Sequence, residues 1–317
     1  MPRKIINVKN ISREEWLEVR RNSIGGSDAA SVCGASPWTS QLSLWCEKMG
    51  ITPDKESNES MKRGTFLEEY VAQRFCEETG KKVKRDNFMY ADDDFNCLTA
   101  NIDRVIVGEN AGLECKTMND YSSKDYDLES GEIPSQYYYQ VQHYMMVMRW
   151  DYMYIAFSTN FKFIWLKVDR NDEFIKQMRQ QELDFWYNNV IKKIRPEADG
   201  SESSMDALIN LYPNETPDSV VYFDFEEMGK RYVQLNEMAN RIKAEKEEIK
   251  AKLCDSLQDA EYGLSDNFKC SWKAQPKDSF DTKKFKKDYP MLYEQYKTTS
   301  IPRVFRINEI KRKEEEK

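Results

Sequence analysis

Residues 101–117 read NIDRVIVGENAGLECKT, and the fold turns on how this stretch is read. Apolar, β-prone runs flank the turn-forming triplet Gly108-Glu109-Asn110, so the segment predicts a hairpin with strands over 98–107 and 112–117. Side chains alternate across a strand, which puts Glu114 and Lys116 on one face and Cys115 on the other. Asp103 then sits late in the neighbouring strand. Two carboxylates and an ammonium converging there can hold a divalent cation and orient a water. The same D-x(10)-E-x-K spacing also describes an exposed cross-strand ion pair, and taken alone it favours that plainer reading.

Working outward, a helix is predicted over 60–79, with Phe66, Leu67, Tyr70, Val71 and Phe75 at helical spacing and Gly80 as its stop. Its segment Gly64-Thr65-Phe66-Leu67-Glu68 carries a third carboxylate. A strand is expected over 81–90. Beyond the hairpin, Pro134 to Met148 reads as a helix bearing Gln140-Val141-Gln142-His143-Tyr144, followed by an antiparallel pair over 152–157 and 161–168 and a long helix over 171–194. Toward the N-terminus, Ser12 and Glu15 form a capping box for a helix over 12–21. Ile24 to Ala30 turns into a second helix, Ser36-Pro37-Trp38 breaks the chain, a helix runs over 40–50, and 52–60 is a loop. Helices alternating with strands predict an α/β fold, a central mixed β-sheet flanked by helices.

The C-terminal third has another character. Residues 197–219 form a polar linker with one short helix, 225–257 a charged helix whose charges mark a solvated face, and 262–272 a hairpin. From Lys277 to Lys317 twelve basic residues stand against eight acidic ones, a local charge of +4. The expected division is a first domain over 1–200 and a C-terminal extension over 201–317, helical with a small hairpin.

Composition removes whole classes of chemistry. The chain has 317 residues, 40% of them hydrophobic, enough for a sizeable core. It lacks an apolar run long enough for a membrane span and its start lacks the apolar stretch of a secretory signal, so a cytoplasmic protein is expected. A single histidine, His143, rules out HExxH zinc sites. It sits on an apolar helix and reads as a packed residue rather than a ligand. Seven cysteines without a CxxC pair argue against a zinc ribbon, an iron–sulfur cluster or a disulfide framework. Catalysis must come from carboxylates, Lys, Arg, Tyr and amides. The net charge of −7 speaks weakly against nucleic acid, because clustered acids that bind metal can coexist with a basic groove.

The order Gly64-x-x-x-Glu68, Asp103, Glu114-x-Lys116, Gln140-x-Gln142 resembles the PD-(D/E)XK nuclease superfamily. Trp16-x-x-x-Arg20, Ile24-Gly25-Gly26-Ser27-Asp28-Ala29 and Ser36-Pro37-Trp38 narrow the resemblance to the YqaJ-like viral recombinases, similar to lambda-type phage alkaline exonucleases. The resemblance implies a restriction-endonuclease-like core. It also implies that Glu68, Asp103, Glu114 and the main-chain carbonyl of Cys115 ligate Mg²⁺, with Mn²⁺ able to substitute. Lys116 would hold or deprotonate the attacking water, Gln140 would position Lys116, and Arg20 and Ser27 would bind a 5′-terminal phosphate. A guanidinium and the amides of a Gly-Gly-Ser helix start suit such a phosphate. The implied activity is 5′-to-3′ degradation at double-stranded DNA ends, leaving 3′ single strands for recombination, in a phage or prophage setting. A single-strand annealing protein and a trimeric ring are the implied partners. The family often has Pro before the first acid where this chain has Ile102. An endonuclease or single-strand nuclease on the same site, and a catalytically silent DNA-end binding module, are the competing readings.

Overall fold

The computed structural model describes residues 2–53, 58–118, 126–299 and 302–308. The middle of the expected 52–60 loop and the end of the basic tail lie outside them. The chain divides into two compact units, Met1–Pro213 and Asn214–Lys317.

In the first unit the order is β1 (Arg3–Asn7), α1 (Arg13–Arg21), β2 (Ile24–Gly25), α2 (Gly26–Val32), α3 (Gln41–Lys48), α4 (Glu59–Thr79), β3 (Val83–Arg85), β4 (Phe88–Ala91), β5 (Leu98–Asn101), β6 (Arg104–Ile106) and β7 (Gly112–Thr117). Then come α5 (Ser135–Met148), β8 (Tyr152–Ser158), β9 (Phe163–Asp169), α6 (Asp172–Asp184) and α7 (Glu202–Leu211). The fold is mixed α/β, as expected. Sheet strands fall into two sets. One sheet runs β1-β4-β5-β2 and the other β3-β6-β7-β8-β9. Within the second, β7 and β8 are parallel and the other neighbours antiparallel.

Two strands expected as single runs each break in the middle, and the breaks create the seam between the sheets. Residues 81–90 divide at Asp86-Asn87, where the Asp86 carboxylate accepts from the Phe88 amide at 3.0 Å and from the Tyr90 hydroxyl at 2.6 Å. Such an Asx turn competes with the ladder for the backbone. Residues 98–107 divide at Ile102-Asp103: Ile102 is buried, and the Asp103 side chain takes the Cys115 amide at 2.9 Å. The turn at 108–110 forms as expected, with Gly108 at φ 86°. The helix expected over 171–194 is α-helical only to Asp184 and opens into a π-helical turn over Phe185–Ile191. There the Trp45 indole N–H donates to the Asn189 carbonyl at 3.0 Å, an inserted partner of the kind that widens a helix.

Helices cover both faces of the five-stranded sheet. On one, Val71, Ala72 and Phe75 of α4 pack on Ile106, Leu113, Tyr154 and Ala156. On the other, Val141, Met145 and neighbours of α5 join Ile155 and Phe157 in the larger core. Burying a ring such as Phe75, fully enclosed here, stabilises by about 2 kcal/mol. The second unit holds α8 (Glu226–Leu257), the hairpin β10 (Tyr262–Leu264) with β11 (Lys269–Ser271), α9 (Thr282–Asp288) and α10 (Pro290–Tyr296). Among the described residues its one buried hydrophobic is Leu257.

Candidate active site

Alternation along β7 sends Cys115 into the core under α4 and turns Glu114 and Lys116 toward α5. Glu114 is 3% exposed. Its Oε1 accepts from Lys116 Nζ at 2.6 Å and from Gln140 Nε2 at 2.7 Å, and Gln140 also donates to the Tyr144 hydroxyl at 2.9 Å. Its Oε2 is buried with no hydrogen-bond partner. Burial and the Glu114 charge beside it push the Asp103 carboxyl well above the usual range. Burial works to lower the Lys116 ammonium, but the charges of Glu114 and Asp103 outweigh it and raise the amine. Burial likewise pushes the Cys115 thiol up, so that side chain is a packing group.

Glu68 stands apart from this pair. On α4 its carboxylate is bound by Arg104 and Arg85, the latter at 3.2 Å, while Arg104 also reaches Glu69 at 2.9 Å and the Asp103 carbonyl at 2.7 Å. Among the described residues no three Asp, Glu, His or Cys side chains converge as a ready-made metal cluster. What fits a hard cation is the pair Asp103 and Glu114, a half-buried and a buried carboxylate, of which one oxygen, Glu114 Oε2, has no partner. Both arginines hold Glu68 through the same oxygen, Oε1.

Arg20 and Ser27 lie in the same cleft of about 170 Å³ as Asn101, Asp103, Glu114 and Gln140. Arg20 Nη2 donates to Ser27 Oγ at 2.9 Å and to Asp28 Oδ1 at 3.1 Å, with the guanidinium 4.9 Å from the Trp16 ring centroid. Asp28 is buried and also accepts from Lys48 at 2.6 Å and from the Gly25 amide at 3.1 Å. Burial would raise its carboxyl, but Lys48 and then Arg20 outweigh that and hold it at about 2. A Cβ on Gly26 would run into the Tyr144 ring, so α2 and α5 approach this closely only because residue 26 is glycine.

Four participants escape the reading of the sequence. Arg104 is fully buried, and the adjacent acids Glu68-Glu69 were the signal that it needed partners. Tyr144 follows Gln140 by one helical turn, which was legible. The Asp28–Lys48 pair, twenty residues apart, left no local trace. His143, correctly read as packed, is wholly buried, with Nδ1 2.8 Å from Glu182 Oε1 and Nε2 2.9 Å from the Thr99 carbonyl. Burial acts to lower its imidazole, and Glu182 outweighs this and raises it.

A family model described as the YqaJ-like viral recombinase domain matches residues 15–159. Every residue of the cleft described above falls within that span. Protein YqaJ of Bacillus subtilis (strain 168) is 35% identical over 306 residues, covering 95% of both chains. Among solved structures, the alkaline exonuclease LHK-Exo of Laribacter hongkongensis aligns with 20% identity over 56% of this chain and 93% of its own, at a TM-score of 0.48. A phage-related exonuclease from Haemophilus somnus 129PT aligns with 13% identity over 56% of this chain and 99% of its own, at 0.46. With a relative 35% identical over 95% of both chains and a family model matching residues 15–159, the chain belongs to the YqaJ-like viral recombinase family.

Proposed function

We propose that this nuclease is a metal-dependent exonuclease that degrades the 5′-ended strand of duplex DNA from a double-strand end, leaving a 3′ single strand. The observation that carries the reading is that Arg20 and Ser27, suited to a terminal phosphate, share one small cleft with Asp103, Glu114 and Gln140. A site that grips a 5′-phosphate beside the acids measures its cut from an end.

Mg²⁺, or Mn²⁺ in its place, held by Asp103 and Glu114 with the Cys115 carbonyl and Glu68 as further ligands, would supply activation of water and stabilisation of the leaving oxygen. Lys116 would hold the attacking water by donating to it and offset the charge that builds on the phosphate. Gln140 fixes the Glu114 carboxylate through its bond at 2.7 Å, keeping the acceptor face toward the cleft. Arg20, oriented by Asp28 and stacked on Trp16, would grip the terminal phosphate together with Ser27. A basic lumen in an oligomeric ring, and a single-strand annealing protein receiving the 3′ strand, complete the reading by family analogy.

The test is a time course on linear duplex with 5′-phosphate or 5′-hydroxyl ends, in Mg²⁺ or EDTA, beside a closed circular control. Release of 5′ nucleotides that needs Mg²⁺, prefers phosphorylated ends and spares the circle is expected. A nicked circle would make the enzyme an endonuclease, and cleavage of neither substrate would leave an end-binding module.

A further inference from the structure

We propose that Trp38 is a stacking platform for an unpaired nucleobase of the strand that passes the cleavage site, a reading that rests on the nuclease assignment and extends it to a base subsite. Trp38 closes the Ser36-Pro37-Trp38 turn between α2 and α3, and the residue is 62% exposed. Leaving so large an apolar surface in water forgoes stabilisation that burial would give.

The backbone of the turn is held in place. Ser36 Oγ accepts from the Trp38 amide at 3.3 Å and the Thr39 amide at 3.1 Å, and Ser135 at the start of α5 donates to the Ala35 carbonyl at 3.3 Å. The turn and α5 are therefore tied together. On its inner side the indole meets Tyr137 of α5, centroids 6.3 Å apart. The Tyr137 ring in turn lies 5.7 Å from Phe157 and 5.0 Å from Lys116 Nζ, which donates to Glu114. A continuous row of Lys116, Tyr137 and Trp38 thus runs from the acid pair to solvent. Its inner end is charged and its outer end is a flat π surface.

That order matches a nucleotide, whose phosphate seeks the cation and whose base seeks the ring. Every base has a π face, so the platform would be tolerant of sequence, as an enzyme that degrades any strand requires. An end whose bases come apart as the 5′ strand is drawn into the cleft supplies the unpaired partner.

The experiment uses full-length protein and linear 5′-phosphorylated duplexes carrying one abasic nucleotide at successive positions from the 5′ end. Cleavage is followed in Mg²⁺ and binding by fluorescence anisotropy in EDTA. For the unaltered protein, one abasic position is expected to raise KM by about tenfold, with kcat little changed. Trp38→Ala is expected to show the raised KM on intact DNA and to lose that positional sensitivity, whereas Trp38→Phe keeps most of it. Unchanged positional sensitivity in Trp38→Ala would overturn the proposal, as would a change in sedimenting mass that showed the indole sealing a contact between copies. The binding arm separates the two readings. Trp38-dependent discrimination without cleavage would keep the platform and remove the nuclease, and cleavage indifferent to Trp38 would do the reverse.

Discussion

Single side chains carry two sharp expectations. Lys116 is the cation closest to Glu114, at 2.6 Å. Lys116→Ala should therefore abolish cleavage while leaving duplex affinity in EDTA within a few-fold, and undiminished turnover in a gel assay would remove the residue from the chemistry. Asp28 makes a prediction about pH. Its carboxyl moves from an ordinary 3.8 to about 2 on folding, so its pairing with Lys48 and Arg20 stabilises the protein fully above about pH 4 and progressively less as pH falls toward 2. At neutral pH the linked contribution is about 2 kcal/mol. In urea unfolding between pH 2 and 7, Asp28→Asn should lose at least that much at pH 7 and flatten the acid limb. An acid limb identical to that of the unaltered protein would refute the coupling.

At the scale of elements, the join between α2 and α5 is the vulnerable one. Gly26→Ala forces a methyl against the Tyr144 ring, and overpacking of this kind costs about 1–3 kcal/mol. Its thermal midpoint should fall, and because Tyr144 is hydrogen-bonded to Gln140, activity should fall with it. Gly26→Ala combined with Tyr144→Ala should cost less than the sum of the two single changes; strict additivity would mean the clash is relieved elsewhere. Local signals made most elements legible: the Ser12–Glu15 capping box and the Gly80 stop, at φ 69°, are both present. Local signals also mislead where pairing is remote. Lys81 to Tyr90 looks like one strand because nothing in its own pattern says that its halves join different sheets; that is decided by β1 and β6, far away in sequence. The strand β2, two residues long, has no period to detect. For the site, the spacing of Asp103, Glu114 and Lys116 put the three on neighbouring strands but alone favoured a plain ion pair, and only the ordered set from Gly64 to Gln142 singled them out. The capture of Glu68 by Arg104 and Arg85 was hidden, because it depends on where α4 lies against β3 and β6.

For the whole molecule, the distribution of the core makes a prediction about autonomy. Every residue of both hydrophobic clusters precedes Pro213, as do all the candidate site residues. A fragment of residues 1–213 should unfold cooperatively with a midpoint close to the parent's and retain end-dependent cleavage in Mg²⁺. A fragment that is folded but inactive would assign the remaining residues a part in catalysis or assembly. The seam between the two sheets has a further consequence. Asp103 stands where the chain passes from β5 of the four-stranded sheet to β6 of the five-stranded one, and Glu114 belongs wholly to the latter. Anything that grips both carboxylates is a rivet through that joint. Mg²⁺ should then raise the thermal midpoint and slow hydrogen exchange at 101–104 and 113–116 before any DNA is present, and EDTA should undo both. Filling the site and tightening the body of the protein would be a single event, so the metal-loaded protein would also be its most durable form.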